Sequence, residues 1–501
     1  MQEFTNVALE LVQPINLFLM NIGLAVGVTV GALPGLNPVI AITLLLPFTY
    51  ALDSIGAILL LLGAYCGSIY GGSITAILIN TPGTGSAMAT MIDGYPLAQQ
   101  GRAGDALKSA LVASVFGGIF SCICLIFFAP TISSFALQFH SADYFSLCLF
   151  GLCMVVSVSG GNICKGLITA GIGLLISSIG IDTMDGIARF TFGKLELLAG
   201  IPVICVMMGA FALGNVFIKC YNQEKRIVSD GLEFQKPTVK VLPLIRENLL
   251  LLIRSSALGS FIGAVPGTGG SLAAYMSYNI QVSSAKTEEE KASYGKGNIQ
   301  GVMAPESANN AITGATLIPM LTLGIPGDGV VAVIASALFI HGISPGPSLF
   351  TENPFWVYCL MGGLLVINIF MFLQGSFFIK AFANVTKLPM VILLPSIVML
   401  CVVGAYTARQ YIFDVTLIMV FGLLGYILHR LDFPLQPMTI GIVLGALCER
   451  NFRRALIIND GSLSIFFTRP LSLFFLFICV FSLLYPQIKK YMKNKKGRVV
   501  S

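Results

Sequence analysis

The chain interrupts its own hydrophobic segments at four places, and the interruptions form two matched pairs. In Phe261 to Tyr275, FIGAVPGTGGSLAAY, an apolar run is broken by Pro-Gly-Thr-Gly-Gly-Ser. Gly31-Ala-Leu-Pro-Gly-Leu-Asn37 breaks an equally apolar run far upstream. A second break follows each: Asn80-Thr-Pro-Gly-Thr-Gly85 after the early one, Gly324-Ile-Pro-Gly-Asp-Gly329 after the late one. The later pair is spaced further apart, and the polar run Ser283 to Asn298 accounts for the extra length. In hydrocarbon a broken helix leaves backbone N–H and C=O groups unpaired, which costs several kcal/mol per group unless something satisfies them. Matched interruptions in two halves of a chain point to a ligand site at the repeat interface, and to repeats of inverted topology.

That argument needs a membrane, and composition supplies one. Only 10% of the residues are charged, against about 25% in soluble domains. The apolar runs are long and continuous, which excludes a β-barrel, whose strands alternate. The expected fold is an all-α polytopic membrane protein with about 12 transmembrane segments plus re-entrant or broken helices. Residues 1–218 read as the first transmembrane repeat, 219–246 as a polar linker, 247–430 as the second repeat, and 431–501 as extra C-terminal membrane segments with a basic tail. The N-terminal stretch lacks a basic region and a small-residue cleavage site, so no cleaved signal peptide is expected. Gly94 to Lys108 reads as a polar loop, Asp182 to Glu196 as a charged loop, and Val302 to Leu323 as one apolar segment. The net charge of +6 sits mostly in flanks and tail and implies no nucleic-acid partner. The 12 cysteines lie scattered in apolar runs and read as small buried residues.

Each break combines glycine with the start of a helical run. Glycine lets a ligand approach the backbone, and a helix start offers free N–H groups and about half a positive charge. An anion fits there without a basic side chain, and the four breaks contain no Lys or Arg. The candidate substrate-binding residues are Gly35, Leu36, Asn37, Thr84, Gly85, Gly267, Thr268, Gly269, Gly270, Ser271 and Gly327. A carboxylate at membrane depth is a functional candidate in its own right. Glu306 and Asp328, with Asn309, Asn310, Ser73, Asn80 and Thr81, are the candidate cation-coupling residues. Their oxygens suit Na⁺ or H⁺; no catalytic residue, no other metal and no cofactor is expected. A dianion entering against roughly 100 mV, negative inside, faces about 4.6 kcal/mol, so net cation co-entry must exceed two charges to gain from the potential. Arg254, Lys165, His140 and His429 take structural readings, Trp356 reads as an interfacial aromatic, and His341 is a further candidate for coupling.

The stretches YGGSITAILINTPGTGSAMATMIDGYPLAQQGRAGDAL, PGTGGS, PESANNAITGATLIPMLTLGIPGDG and LCERNFRRALIINDGSLSIFFTRPLS resemble the large membrane subunit of the tripartite tricarboxylate transporters, the TctA-type family. The resemblance covers nearly the whole chain. It implies a multi-pass subunit of the bacterial inner membrane that works with a small membrane subunit (TctB-like) and a soluble periplasmic solute-binding protein (TctC-like). It also implies import of carboxylates such as citrate, coupled to Na⁺ or H⁺. By position, the two pairs of Pro-Gly breaks would form the substrate and ion site. Family members commonly carry a small residue after the last Ile-Pro-Gly, where this chain has Asp328.

Two other classes compete. An intramembrane serine-type enzyme would use Ser271, Ser73 or Ser344 with His341 as base. Gly342-Ile-Ser-Pro-Gly346 fits G-x-S-x-G on paper, but Pro345 has no N–H for an oxyanion hole and no strand precedes it. A passive anion channel would need rings of charge or carbonyls in a symmetric oligomer.

Overall fold

The computed structural model describes residues 2–33, 36–158, 162–182, 184–222, 237–378 and 390–497. Among them, seven helices are long and apolar enough to cross a membrane, and shorter apolar helices lie between them. The only sheet among the described residues is the two-stranded hairpin of β1 (Gly180–Ile181) and β2 (Ala188–Arg189). The chain is an all-α polytopic membrane protein.

In the first half, α1 (Gln2–Val12) precedes α2 (Pro14–Gly31), α3 (Pro38–Leu45), α4 (Ser54–Ile79), α5 (Ala87–Leu97), α6 (Ala103–Ala136), α7 (Ser141–Val158) and α8 (Ile163–Ser177). After the hairpin, α9 (Val203–Met207) runs through a wide turn into α10 (Gly214–Asn222). The second half holds α11 (Val241–Glu247), α12 (Leu249–Gly263), α13 (Gly269–Ser283), α14 (Glu288–Ser293) and α15 (Ile299–Asn310). Then come α16 (Ile312–Ala315), α17 (Leu317–Leu323), α18 (Gly329–Ile340), α19 (Leu349–Glu352), α20 (Pro354–Phe377), α21 (Met390–Arg409) and α22 (Ile412–Arg430). Last are α23 (Gln436–Ile458), α24 (Ile465–Thr468) and α25 (Pro470–Gly497). The C-terminal helices pack on the first half: α23 on α7 and α8, and α25 on α7.

The tightest packing is between α2 and α4. Gly23, Gly27 and Gly31 recur every fourth residue and face Leu60, Ala64 and Ser68; Gly63, Gly67 and Gly71 face back onto Met20, Leu24 and Val28. A Cβ on Gly27 would stand 2.3 Å from the Ala64 carbonyl oxygen, and one on Gly67 would stand 2.4 Å from that of Leu24. Lipid offers no hydrophobic drive for helix association, so close backbone approach across small residues supplies it. The second half repeats the device: a Cβ on Gly259 of α12 would stand 2.2 Å from the Ala308 oxygen of α15.

Three stretches differ from their sequence reading. Gly94 to Lys108 is helical, α5 passing into α6 through a kink at Gly101, φ 78°. Gln99, Gln100 and Arg102 are exposed, but the carboxylates in and just before the stretch bind neighbours. Asp93 accepts from the N–H groups of Gly295, Gly297 and Asn298 and from the Tyr278 hydroxyl at 2.8–3.0 Å. Asp105 accepts from the N–H groups of Thr238 and Val239. Val302 to Leu323 is divided at Ala311 and again at Thr316; at the second division Pro319 has no N–H for the Ala315 carbonyl. Trp356 is only 5% exposed and packs in the core at the start of α20.

The hairpin is fastened to α23 by ions. Arg453 donates to Asp182 at 2.5 Å, and Arg189 donates to Glu449 at 2.6 Å. The Met184 N–H, with Arg453 and Arg189, holds the Asp182 carboxyl below the usual carboxylate range. A carboxyl lowered by folding contributes stability that is full above the unfolded value, about 4, and lost as pH falls through the folded value. Hydrogen exchange of residues 180–189 should therefore be slow and flat from pH 7 to pH 5, after correction for intrinsic rates, and accelerate below about pH 4. Gly67→Leu should destabilise the detergent-solubilised protein by about 3 kcal/mol, read as a lowered melting temperature.

Candidate functional site

The four breaks are all made of the same parts, but their helix starts are finished in two ways. In the first, Leu36 is buried and Asn37 caps α3, its Oδ1 accepting from the Ile40 N–H at 3.0 Å; Gly35 lies outside the described residues. In the fourth, Asp328 caps α18 in the same way, accepting from the Val331 N–H at 2.8 Å. Its second oxygen accepts from the Tyr65 hydroxyl at 3.1 Å, and Tyr65 also meets the Thr316 hydroxyl at 3.1 Å. In the second break, α4 ends at Asn80 in left-handed geometry, φ 52°. The Gly83 N–H returns to the Gly72 carbonyl at 3.1 Å, and buried Thr84 shares a hydrogen bond with Ser86 at 3.1 Å. Thr84 closes the start of α5, its carbonyl and its Oγ1 accepting from the Ala87 N–H at 3.1 and 3.3 Å. In the third break the Thr268 hydroxyl donates backwards, to the carbonyls of Ile262 and Val265. No side chain caps α13, so the leading N–H groups of Gly269, Gly270 and Ser271 keep their donor capacity.

The fold brings the breaks together across the two halves. The Gly267 N–H donates to the Gly327 carbonyl at 2.7 Å, joining the third to the fourth. A Cβ on Gly85 would stand 3.1 Å from the Ser271 Oγ, so the second and third lie side by side. A Cβ on Gly83 would stand 2.1 Å from the Gly31 oxygen at the entrance to the first. Capped α3 packs on capped α18, and α5 packs on α13. Gly85 and Ser271 are exposed, and a Cβ on Gly269 would meet nothing within 4 Å. The uncapped start of α13 therefore faces accessible space, while α3, α5 and α18 are closed by side chains of their own breaks.

The candidate cation-coupling residues divide into separate groups. Glu306 is fully buried in the middle of α15. Its carboxylate accepts from the hydroxyls of Ser73 on α4 and Thr90 on α5, and from Ser114 on α6 at 2.9 Å. Asn310 donates to Ser114 at 2.9 Å, and its own Oδ1 is buried without a partner. No Lys, Arg or His pairs with Glu306 among the described residues. Asp328 belongs to the Tyr65–Thr316 group instead. Asn80 is exposed and the Thr81 hydroxyl donates to the Ile79 carbonyl, so neither reaches Glu306. Asn309 faces away from Asn310: a Cβ on Gly270 would stand 2.7 Å from its Oδ1, and both atoms of its amide lack a partner. Thr90, Ser114, Tyr65 and Thr316 carried no sequence signal, since a hydroxyl in an apolar helix ordinarily bonds its own i−4 carbonyl. His341 lies against Thr49 and Asp53, and no hydrogen bond joins it to Ser73, Ser271 or Ser344.

Paired interrupted helices meeting across two halves, beside a buried carboxylate held only by hydroxyls and amides, define the architecture of a membrane transporter. The chain belongs to the tripartite tricarboxylate transporter TctA family, whose sequence model matches residues 17–440. It is 36% identical over 95% of its length, and 94% of the relative's, to an uncharacterized 52.8 kDa protein of Agrobacterium vitis from the TAR-I ttuC' 3' region. A second protein of that organism, from the TAR-II ttuC' 3' region, is 36% identical over 46% of this chain and 96% of its own. No solved structure matches the chain significantly.

Two substitutions separate the hydroxyls of the third break. Thr268→Val should cost about 1 kcal/mol of stability because it releases two helix-end carbonyls. Ser271→Ala should stay within about 0.5 kcal/mol of wild type in melting experiments.

Proposed function

We propose that this chain is the large permease subunit of a tripartite secondary active transporter that imports carboxylates of the tricarboxylate and dicarboxylate class. It sits in the bacterial inner membrane beside a small TctB-like membrane subunit. A TctC-like periplasmic protein delivers the substrate, and co-entry of Na⁺ or H⁺ drives it. The observation that carries the reading is the uncapped helix start of α13, lying beside α5 on an accessible face with no basic side chain in either break. Backbone N–H groups at a helix start hold an anion by geometry and dipole together. They also release it more readily than a bidentate arginine does, which suits a site that must empty on the far side.

Coupling is assigned to Glu306. A buried carboxylate that accepts from three hydroxyls, with no basic neighbour, is an expensive group at membrane depth. A cation arriving there neutralises it. Helices α5 and α15 each contribute to both places: Ser86 and Asn309 lie toward Gly270, Thr90 and Glu306 toward the carboxylate shell. Filling one place therefore bears on the helices that form the other, as reciprocal linkage requires. The pairing of α3 with α18 and of α5 with α13 is the arrangement that a two-fold relation between inverted repeats would produce.

The test is uptake of labelled citrate, succinate and aromatic acids by proteoliposomes carrying both membrane subunits and supplied with the binding protein. Carboxylate uptake should require an inward cation gradient and stop when sodium and proton gradients are both collapsed. Glu306→Gln should abolish concentrative uptake while leaving the protein folded. Flux that ignores both gradients indicates a channel and overturns the reading, and hydrolysis products indicate an enzyme.

A further inference from the structure

Asn309 is the most anomalous polar side chain near the breaks. It is fully buried, yet neither its Oδ1 nor its Nδ2 has a hydrogen-bond partner. A buried amide left unpaired opposes folding, and groups of this kind in a native structure call for an explanation. The orientation offers one. The Asn309 Oδ1 lies 2.7 Å from where a Cβ on Gly270 would stand, and Ser86 flanks the same spot, its Cβ 3.4 Å away from it. Gly270 is the second residue of α13, a 15-residue helix whose first N–H groups have no side-chain cap. A Cβ at residue 270 would collide with the amide, so glycine is the residue that lets the two approach. The buried amide and the uncapped helix start thus point into one place.

We propose that Asn309 and the N-terminus of α13 together form the subsite for one carboxylate of the substrate, and that this subsite selects acids bearing a hydrogen-bond donor on the carbon beside that carboxylate. The proposal rests on the reading of the chain as a carboxylate carrier. It moves Asn309 from the cation group to the substrate. The carboxylate accepts from the leading N–H groups of α13 and from the Asn309 Nδ2. That leaves the Asn309 Oδ1 as an acceptor facing the same ligand, and a neighbouring hydroxyl satisfies it. A site whose buried acceptor is matched by a ligand hydroxyl rejects the analogue that lacks it, because the acceptor is then left unpaired. Asn310, one residue on, points the other way into the Ser114–Glu306 shell. The two adjacent amides on α15 thus serve two different ligands.

The experiment measures melting temperature and binding by calorimetry on the purified full chain, using malate and succinate, which differ by one hydroxyl. The wild type should bind malate about ten-fold or more tighter than succinate. Asn309→Ala should melt at or above the wild-type temperature, since it removes two unpaired groups. It should also weaken malate binding about ten-fold or more and erase the preference. Asn309→Asp keeps the shape, so it should fold, and it should abolish binding of both acids by charge repulsion. Three results overturn the proposal while leaving carboxylate transport standing: Asn309→Ala melting lower with malate affinity unchanged, Asn309→Asp binding like wild type, or equal wild-type affinity for the two acids. No binding of either acid by the wild type, together with no carboxylate uptake by the full three-component system, overturns the carboxylate reading as well.

Discussion

The molecule is governed by the rule that a backbone interrupted in hydrocarbon must find its hydrogen bonds inside the protein. Each of the four breaks leaves a helix start with several donors and no internal acceptors. Three of them are closed locally, by Asn37, Thr84 and Asp328. The remaining one, at α13, has no side-chain cap. Strain of this kind is tolerated where it has a use. The open start lies against accessible space, where a Cβ on Gly269 would meet nothing within 4 Å. That difference between closed and open helix starts is what sets α13 apart.

The rest of the fold holds these ends in register. The interleaved glycines of α2 and α4 bring the first and second breaks into contact through Gly31 and Gly83, and the Gly267–Gly327 hydrogen bond ties the third to the fourth. Asp93 pins the loop before α15 to α5, with three backbone N–H groups and a tyrosine hydroxyl on one carboxylate. Helices α5 and α15 are thereby tied to each other, and the residues on or beside them, Ser86 and Asn309 toward Gly270 and Thr90 and Glu306 in the buried carboxylate shell, lie in both places. Coupling between an anion and a cation needs such a shared element, with each ligand biasing its position.

Much of this was legible in the sequence, and what was hidden has physical reasons. The breaks announced themselves because they come in matched pairs, where a single Pro-Gly would have read as a kink between packed helices, and Glu306 stood out as a carboxylate in the wrong solvent. What the sequence could not disclose was which break meets which, because α5 meets α13 through tertiary packing across the two halves. The partners of Glu306 were equally silent: Thr90 and Ser114 look like any hydroxyl bonding its own helix. The stretch from Gly94 to Lys108 misled for the opposite reason. Its polarity suggested water, whereas Asp105 spends its oxygens on backbone N–H groups of a distant segment. Asn309 and Asn310 are neighbours in sequence and read as one group, but a helix turns successive residues about 100° apart, and they serve different places.

The central claim is that backbone N–H groups at the start of α13, without any basic side chain, hold the substrate. The most direct measurement is an electron cryo-microscopy structure of the two membrane subunits in lipid nanodiscs with a transported carboxylate bound. The account predicts density for a carboxylate within hydrogen-bond distance of the N–H groups of Gly269, Gly270 and Ser271, beside Gly85. Density lying instead against arginine or lysine side chains, with that helix start filled by protein atoms, would contradict it.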